Sequence, residues 1–455
     1  LRAAPTAFVA LLLAAACAAP PKLEQASTSV SSGPPRVLTS RGVLSEAGSE
    51  ALLERADKQG EATLLERQLA TMRRISATPL VAGNAARLLV DGPTTYQATF
   101  RAIADARDHV NVETYILEGD EVGQKLSALL LAKQAQGVQV NLLYDAIGSL
   151  GTPAEFFDRL REAGIQVCEF NPILPSRWRL SNPNQRDHRK QVIVDGRVAI
   201  SGGINFSSVY SSGSAIGRKR KPRSVDKGWR DTNVELQGPA VTQFQRLFLD
   251  TWAEQNCPPV ADRAYFPASP AQGDKIVSAI ASSANDEPGL MYLALLSAIR
   301  EARQSVHITM AYFVPDQEIV TALTEAARRG VDVKLILPGF SDSWTVFHAG
   351  RSYYDALLEG GVAIYELRGA LLHAKTAVID GVWSTVGSTN LDWRSFVHND
   401  ELNTVVLGEE FGRDMAGMFE ADLRDATRID LERWRQRSLG SRLKERAARL
   451  FGYWL

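Results

Sequence analysis

The sequence predicts an α/β protein assembled from two copies of one unit, with a functional site where the copies meet. Two observations carry this. A polar pattern occurs twice at identical intervals. The first copy is His188-Arg189-Lys190, four residues, Asp195, six residues, then Gly202-Gly203-Ile204-Asn205. The second is His373-Ala374-Lys375, four residues, Asp380, six residues, then Gly387-Ser388-Thr389-Asn390. Upstream of each copy, strand and helix patterning also repeats, alternating as α/β units do.

Taken in order, the chain opens on a processing segment. Arg2 precedes the apolar run from Phe8 to Ala16, which ends at Cys17. The run is too short to span a bilayer and fits a signal peptide over residues 1–17. The small residues before Cys17 resemble a bacterial lipoprotein signal, in which that cysteine becomes the lipidated first residue. Cleavage by an ordinary signal peptidase is the competing reading. Both predict export, and lipidation would anchor the protein in a bacterial envelope, facing the periplasm. Residues 18–75 read as a tether rich in Ala, Ser and Pro, then a helix from Glu50 to Arg74 interrupted by Gly60.

Two domains follow, expected over 76–262 and 263–455. In the first, a helix through Phe100-Arg101-Ala102-Ile103 leads to a strand at Val110–Thr114 and then Tyr115. Leu296-Ser297-Ala298-Ile299, Val306–Met310 and Tyr312 match it in the second. Another helix follows in each, then the apolar runs Gly137–Leu143 and Gly330–Ile336. The segments Leu160–Ile165 and Leu357–Val362 correspond next, and the polar pattern comes last. This order predicts a mostly parallel core sheet.

Within each pattern, Gln191–Val194 and Thr376–Ile379 read as short buried strands closed by Asp-Gly turns. Second strands follow at Arg197–Ser201 and Val382–Val386. His and Lys two apart share a face of a strand, and the small Gly203 or Ser388 lets backbone approach a ligand closely before Asn205 or Asn390. Imidazole, ammonium, carboxamide and backbone N–H groups suit a phosphate. One His can attack phosphorus while the other protonates the leaving alcohol. That is covalent catalysis requiring neither metal nor cofactor, and one chain carries both halves, so it is a monomer in the catalytic sense. A lone His beside an apolar run is usually structural; two complete copies at one spacing are not.

The duplicated H-x-K-x4-D-x6-G-(G/S)-x-N pattern resembles the phospholipase D superfamily, and the flanks are most similar to bacterial cardiolipin synthases. The likeness runs from about Gly83 to Leu455. It includes Tyr144-Asp145, Trp229-Arg230-Asp231-Thr232, Tyr312–Asp316 and Asn390–Phe396 through Glu401. The resemblance implies two tandem phospholipase D-like α/β/α sandwich domains related by a pseudo-twofold, with the site at their interface. It implies catalytic roles for His188, Lys190, Asp195, His373, Lys375 and Asp380, and phosphate binding by Gly203, Asn205, Ser388 and Asn390. It places the histidine-orienting carboxylates at Asp231 and Glu401. The reaction it implies is phosphatidyl transfer, with phosphatidylglycerol or a similar lipid as donor and an anionic phospholipid bilayer as partner. Hydrolysis to phosphatidic acid and a nuclease activity on the same fold stay open, although the long tandem chain and its synthase-like flanks speak against nucleic acid.

The remainder discriminates less. Lys and Arg number 51 against 52 acidic residues, a net charge of −1 that excludes no class of partner. Five positive charges between Gly217 and Arg223 read as a solvated loop or a contact for anionic headgroups. The basic tail from Arg433, ending Leu450-Phe451-Gly452-Tyr453-Trp454-Leu455, fits an interfacial anchor or, preferred here, a helix packing its apolar stripe on the second domain. Cys168 and Cys257 can pair in an oxidising compartment, or remain two buried thiols.

Overall fold

A computed structural model describes residues 37–39, 42–45, 47–48, 51, 79–172, 184–211, 228–283 and 289–451. The Cys17 signal, the tether, nearly all of the helix expected at 50–74, the basic run 217–223 and the last four residues lie outside the described residues. Among the described residues no helix is long and apolar enough to cross a membrane.

The first repeat comprises β1 (Leu80–Leu89), α1 (Gly92–Asp105), β2 (His109–Thr114), α2 (Glu121–Ala135), β3 (Gln139–Asp145) and α3 (Ala154–Glu162). It continues with β4 (Gln166–Phe170), β5 (Gln191–Val194), β6 (Val198–Gly202), β7 (Asn233–Gln237) and α4 (Val241–Glu254). The second runs through β8 (Lys275–Ser282), α5 (Leu290–Glu301), β9 (Ser305–Met310), α6 (Gln317–Arg328) and β10 (Asp332–Pro338). Then come α7 (Trp344–Arg351), β11 (Ala363–Leu367), β12 (Lys375–Ile379), β13 (Trp383–Gly387), β14 (Asn399–Leu407) and α8 (Glu409–Arg424). The chain closes with α9 (Leu431–Arg435) and α10 (Leu439–Arg449).

Strand order is the same in both halves: β1-β7-β6-β5-β2-β3-β4 and β8-β14-β13-β12-β9-β10-β11. Within these two orders only β2-β3-β4 and β9-β10-β11 are parallel, which corrects the expectation of a mostly parallel sheet. The reason is local. Asp195-Gly196 and Asp380-Gly381 all have positive φ, the geometry of a two-residue hairpin turn, so each polar pattern folds back antiparallel. Equivalent strands β1 and β8 pair antiparallel and join the halves into one sheet.

The parallel strands are apolar because helices cover them. Val110, Val112, Val140 and Leu142 form one core; Ile308, Leu335, Leu323 and Ile299 form its counterpart. A third cluster belongs to both repeats. Phe244 and Phe248 of α4 pack there with Phe411 and Met415 of α8, beside Val81 and Val277 of the joining strands. Each such phenylalanine is worth roughly 1.5–3 kcal/mol of burial, so the interface that frames the site is a core. Helix starts repeat too: Asp120 caps α2 and Asp316 caps α6, each accepting backbone N–H bonds from the first turn.

Candidate active site

Two short strand pairs between the repeats build the site. Arg186-Asp187 runs parallel to the start of β14, with Asp187 opposite Asp400. Trp229-Arg230 runs parallel to Leu371-Leu372. The residue after each of these four segments is a site residue: His188 and Glu401 in the first pair, Asp231 and His373 in the second. The His188 N–H donates to Asp400 O at 2.9 Å and the His373 N–H to Arg230 O at 2.8 Å, fixing the register. Each imidazole therefore meets a carboxylate from the other repeat. His188 Nδ1 lies 2.9 Å from Glu401 Oε2, and His373 Nδ1 lies 2.6 Å from Asp231 Oδ2. A carboxylate on Nδ1 selects the tautomer that leaves Nε2 free.

The lysines complete the group. Lys190 and Lys375 are buried, and Lys375 Nζ is 2.9 Å from His373 Nδ1. Burial, reinforced by Lys190, Lys375 and His373, holds His188 well below the ordinary histidine range. His373 is lowered by burial and by Lys375, but Asp231 opposes the shift. Burial brings Lys190 down to about 7 and lifts Glu401 to about 7. Two imidazoles and two ammonium groups thus share one desolvated place that favours an anion.

The repeats differ around their acids. Ser388 Oγ donates to Glu401 Oε2 at 2.5 Å, and Asn399 Nδ2 donates to Oε1 at 3.2 Å. At the equivalent point Gly203 leaves no space: a Cβ there would meet Asp231 Oδ1 at 2.2 Å. Arg189 has Ala374 as its counterpart. Its guanidinium donates to Thr251 Oγ1 at 2.7 Å, Ser282 O at 2.9 Å and Glu401 O at 3.3 Å, tying the first motif to the second repeat. Glu113 and Asp187 are buried beside it, and burial and their mutual repulsion raise Asp187 well above the carboxylate range.

Asp195 and Asp380 are the expected residues that the structure places elsewhere. Asp195 accepts from the backbone N–H groups of Arg107, Asp108 and His109, and Asp380 from those of Arg303, Gln304 and Ser305. Each sits at the far end of its strand from the motif lysine and locks the hairpin to β2 or β9. Both carboxylates are bonded to backbone there, away from the two imidazoles. Asn205 Oδ1 accepts from the Ile116 N–H at 3.0 Å and its Nδ2 faces Tyr210 Oη at 3.2 Å, whereas Asn390 Oδ1 is buried with no partner among the described residues.

Aromatic residues to which the sequence reading gave no role wall the histidines. The Tyr115 ring stands edge-on to His188 at 5.1 Å. Trp229, Tyr210 and Tyr312 surround His373 at 5.0, 6.0 and 6.3 Å. Tyr115 follows β2 by one residue and Tyr312 follows β9 by two, at the same end of equivalent strands. Trp229 lies in the flank that carries Asp231, whereas Tyr210 lies outside every quoted pattern and only the fold brings it in. Cys168 and Cys257 form a disulfide that joins β4 to the segment after α4.

Residues 99–212 and 295–423 match the family described as cardiolipin synthase, PLD-like domain. The chain is 33% identical over 387 residues to cardiolipin synthase 1 of Bacillus anthracis, covering 83% of this chain and 74% of that protein. It is 35% identical over 383 residues to the cardiolipin synthase of Geobacillus sp. (strain WCH70), with the same shares covered. The phosphatidylserine synthase of Haemophilus influenzae Rd KW20 shares the fold, with a TM-score of 0.60 at 13% identity over 89% of this chain and 100% of that one. With the duplicated motif, the repeated sheet order and this likeness together, the chain belongs to the phospholipase D-like family of cardiolipin synthases.

Proposed function

We propose that the protein moves phosphatidyl groups between alcohols through a phosphohistidine, forming cardiolipin from phosphatidylglycerol. The observation that carries this reading is the pair of crossed histidine–carboxylate contacts, which leave both Nε2 atoms available beside two lysines. In the first half-reaction His188 Nε2 attacks the donor phosphorus, the P–O bond to the headgroup alcohol breaks, and His373 gives that oxygen a proton. In the second, His373 takes the proton of an acceptor hydroxyl, its oxygen attacks phosphorus, and the N–P bond breaks. The assignment follows the shorter of the two carboxylate contacts. Burial holds His188 below the ordinary histidine range, which suits a nucleophile. His373 keeps Asp231 at 2.6 Å to stabilise the imidazolium an acid needs.

Lys190 and Lys375 would neutralise the phosphate oxygens, with Asn390 Oδ1 turned to the acceptor hydroxyl or a bound water. No step calls for a metal. The names of the relatives support the choice of lipid, and the disulfide supports an oxidising, exported location. Mass spectrometry of products from phosphatidylglycerol vesicles, with EDTA and with His188→Ala as control, tests the reading. Cardiolipin plus glycerol is expected from the intact protein and neither from the variant. Phosphatidic acid alone would make it a hydrolase, and no lipid product would overturn the reading.

A further inference from the structure

α10 faces the wrong way for a helix that packs its apolar stripe. Glu445 and Ala448 are buried, while Leu439, Leu443 and Leu450 are 82%, 69% and 83% exposed. At 100° per residue those leucines and Arg446 share one outward stripe, opposite the buried pair. The sequence-based preference for an inward stripe is therefore corrected. Phe451, just past the helix, is 56% exposed, and Trp344 at the start of the neighbouring α7 is 55% exposed.

The same surface is basic. Arg446 lies within the stripe and Lys444 to one side of it; both are exposed and make no ion pair among the described residues. The inner side of the same helix adjoins the site. Ala448 packs on Val314, Val346 and Ala349, and Tyr312, which flanks His373, packs on that cluster. Tyr312 Oη donates to Asp342 at 2.9 Å, two residues before Trp344.

We infer that Leu439, Leu443, Leu450, Phe451 and Trp344 form a bilayer-docking face that inserts among lipid chains while the basic residues contact anionic headgroups. The occupant is a bilayer because the face is a shallow apolar stripe bordered by unpaired positive charge, the pattern of an interfacial helix. The inference rests on the lipid reading of the site and adds where the membrane lies, on the side of the second repeat that carries Tyr312.

The test uses the full chain, vesicles of phosphatidylglycerol and phosphatidylcholine, and Leu439→Gln/Leu443→Gln/Leu450→Gln. These positions are exposed, so the fold is retained. Expected are at least tenfold weaker vesicle binding and turnover on vesicles, with turnover on monomeric short-chain phosphatidylglycerol unchanged. Equal vesicle binding by the variant would overturn the inference. Brominated-lipid quenching of tryptophan fluorescence separates this face from any insertion by the N-terminal segment, where residues 1–78 contain no Trp. Quenching should fall in Trp344→Phe, and unchanged quenching would also overturn it. Failure of the catalytic reading is distinct, since the intact protein would then make no lipid product whatever its binding.

Discussion

His188 Nδ1 lies 2.9 Å from Glu401 Oε2, although 213 positions and the boundary between repeats separate the two residues. His373 and Asp231 repeat the relationship in the other direction. Each imidazole thus takes its carboxylate partner from the other half, across the shared core.

Glu401→Gln keeps the shape and removes the charge that selects the His188 tautomer. A loss in kcat of about 10²–10⁴-fold is expected, with KM little changed. Asp231→Asn should behave alike. Steady-state kinetics beside a thermal melt checks this; a kcat within threefold of the parent would contradict the orienting role.

Activity should peak narrowly near pH 7. Glu401, lifted to about 7, must be ionised to hold His188, so kcat/KM rises with pH through that value. Lys190, lowered to about 7, must be protonated to bind phosphate, so kcat/KM falls as pH rises further. The two groups interact and titrate as a pair. Lys190→Arg keeps its charge and should abolish the alkaline fall; a profile unchanged by that substitution would refute the assignment.

The two small motif residues should not be interchangeable. Gly203→Ser forces a side chain onto the Asp231 carboxylate, and is expected to cost about 1–3 kcal/mol and most of the activity. Ser388→Gly removes a hydroxyl that donates to Glu401 and accepts from the Leu402 N–H, at a cost of about 1–2 kcal/mol. Denaturation and turnover measured on both variants decide it, and equal effects would count against the asymmetry.

Much of this was legible in the chain because the repeat is local. Motif spacing and Asp-Gly turns lie within short stretches, and they announced the fold and both histidines. The rest depends on contacts between distant segments. Spacing alone does not tell which acid serves which histidine, nor that Asp195 turns to the backbone of residues 107–109 and away from the site. Cys168 and Cys257 are 89 residues apart and meet only because α4 returns to β4. The outward stripe of α10 was misread because leucines at helical spacing usually go inward, whereas here Ala448 makes the close contact with α7.

Replacing both cysteines by Ala should destabilise the protein by about 2–4 kcal/mol while leaving turnover at room temperature near normal. The disulfide ties β4 to the end of α4 and touches neither histidine. Urea denaturation with and without reductant measures it; loss of turnover with no loss of stability would point to a role for the bridge in the site.

The most direct test of the account is a burst experiment with a phosphatidyl donor carrying p-nitrophenol, a leaving group that needs no acid. His373→Asn should release one equivalent of p-nitrophenol per protein and then stall, with the phosphatidyl mass on the peptide containing His188. His188→Asn should give no burst. A burst that survives in His188→Asn and vanishes in His373→Asn would reverse the roles, and no adduct in either protein would contradict a phosphohistidine altogether.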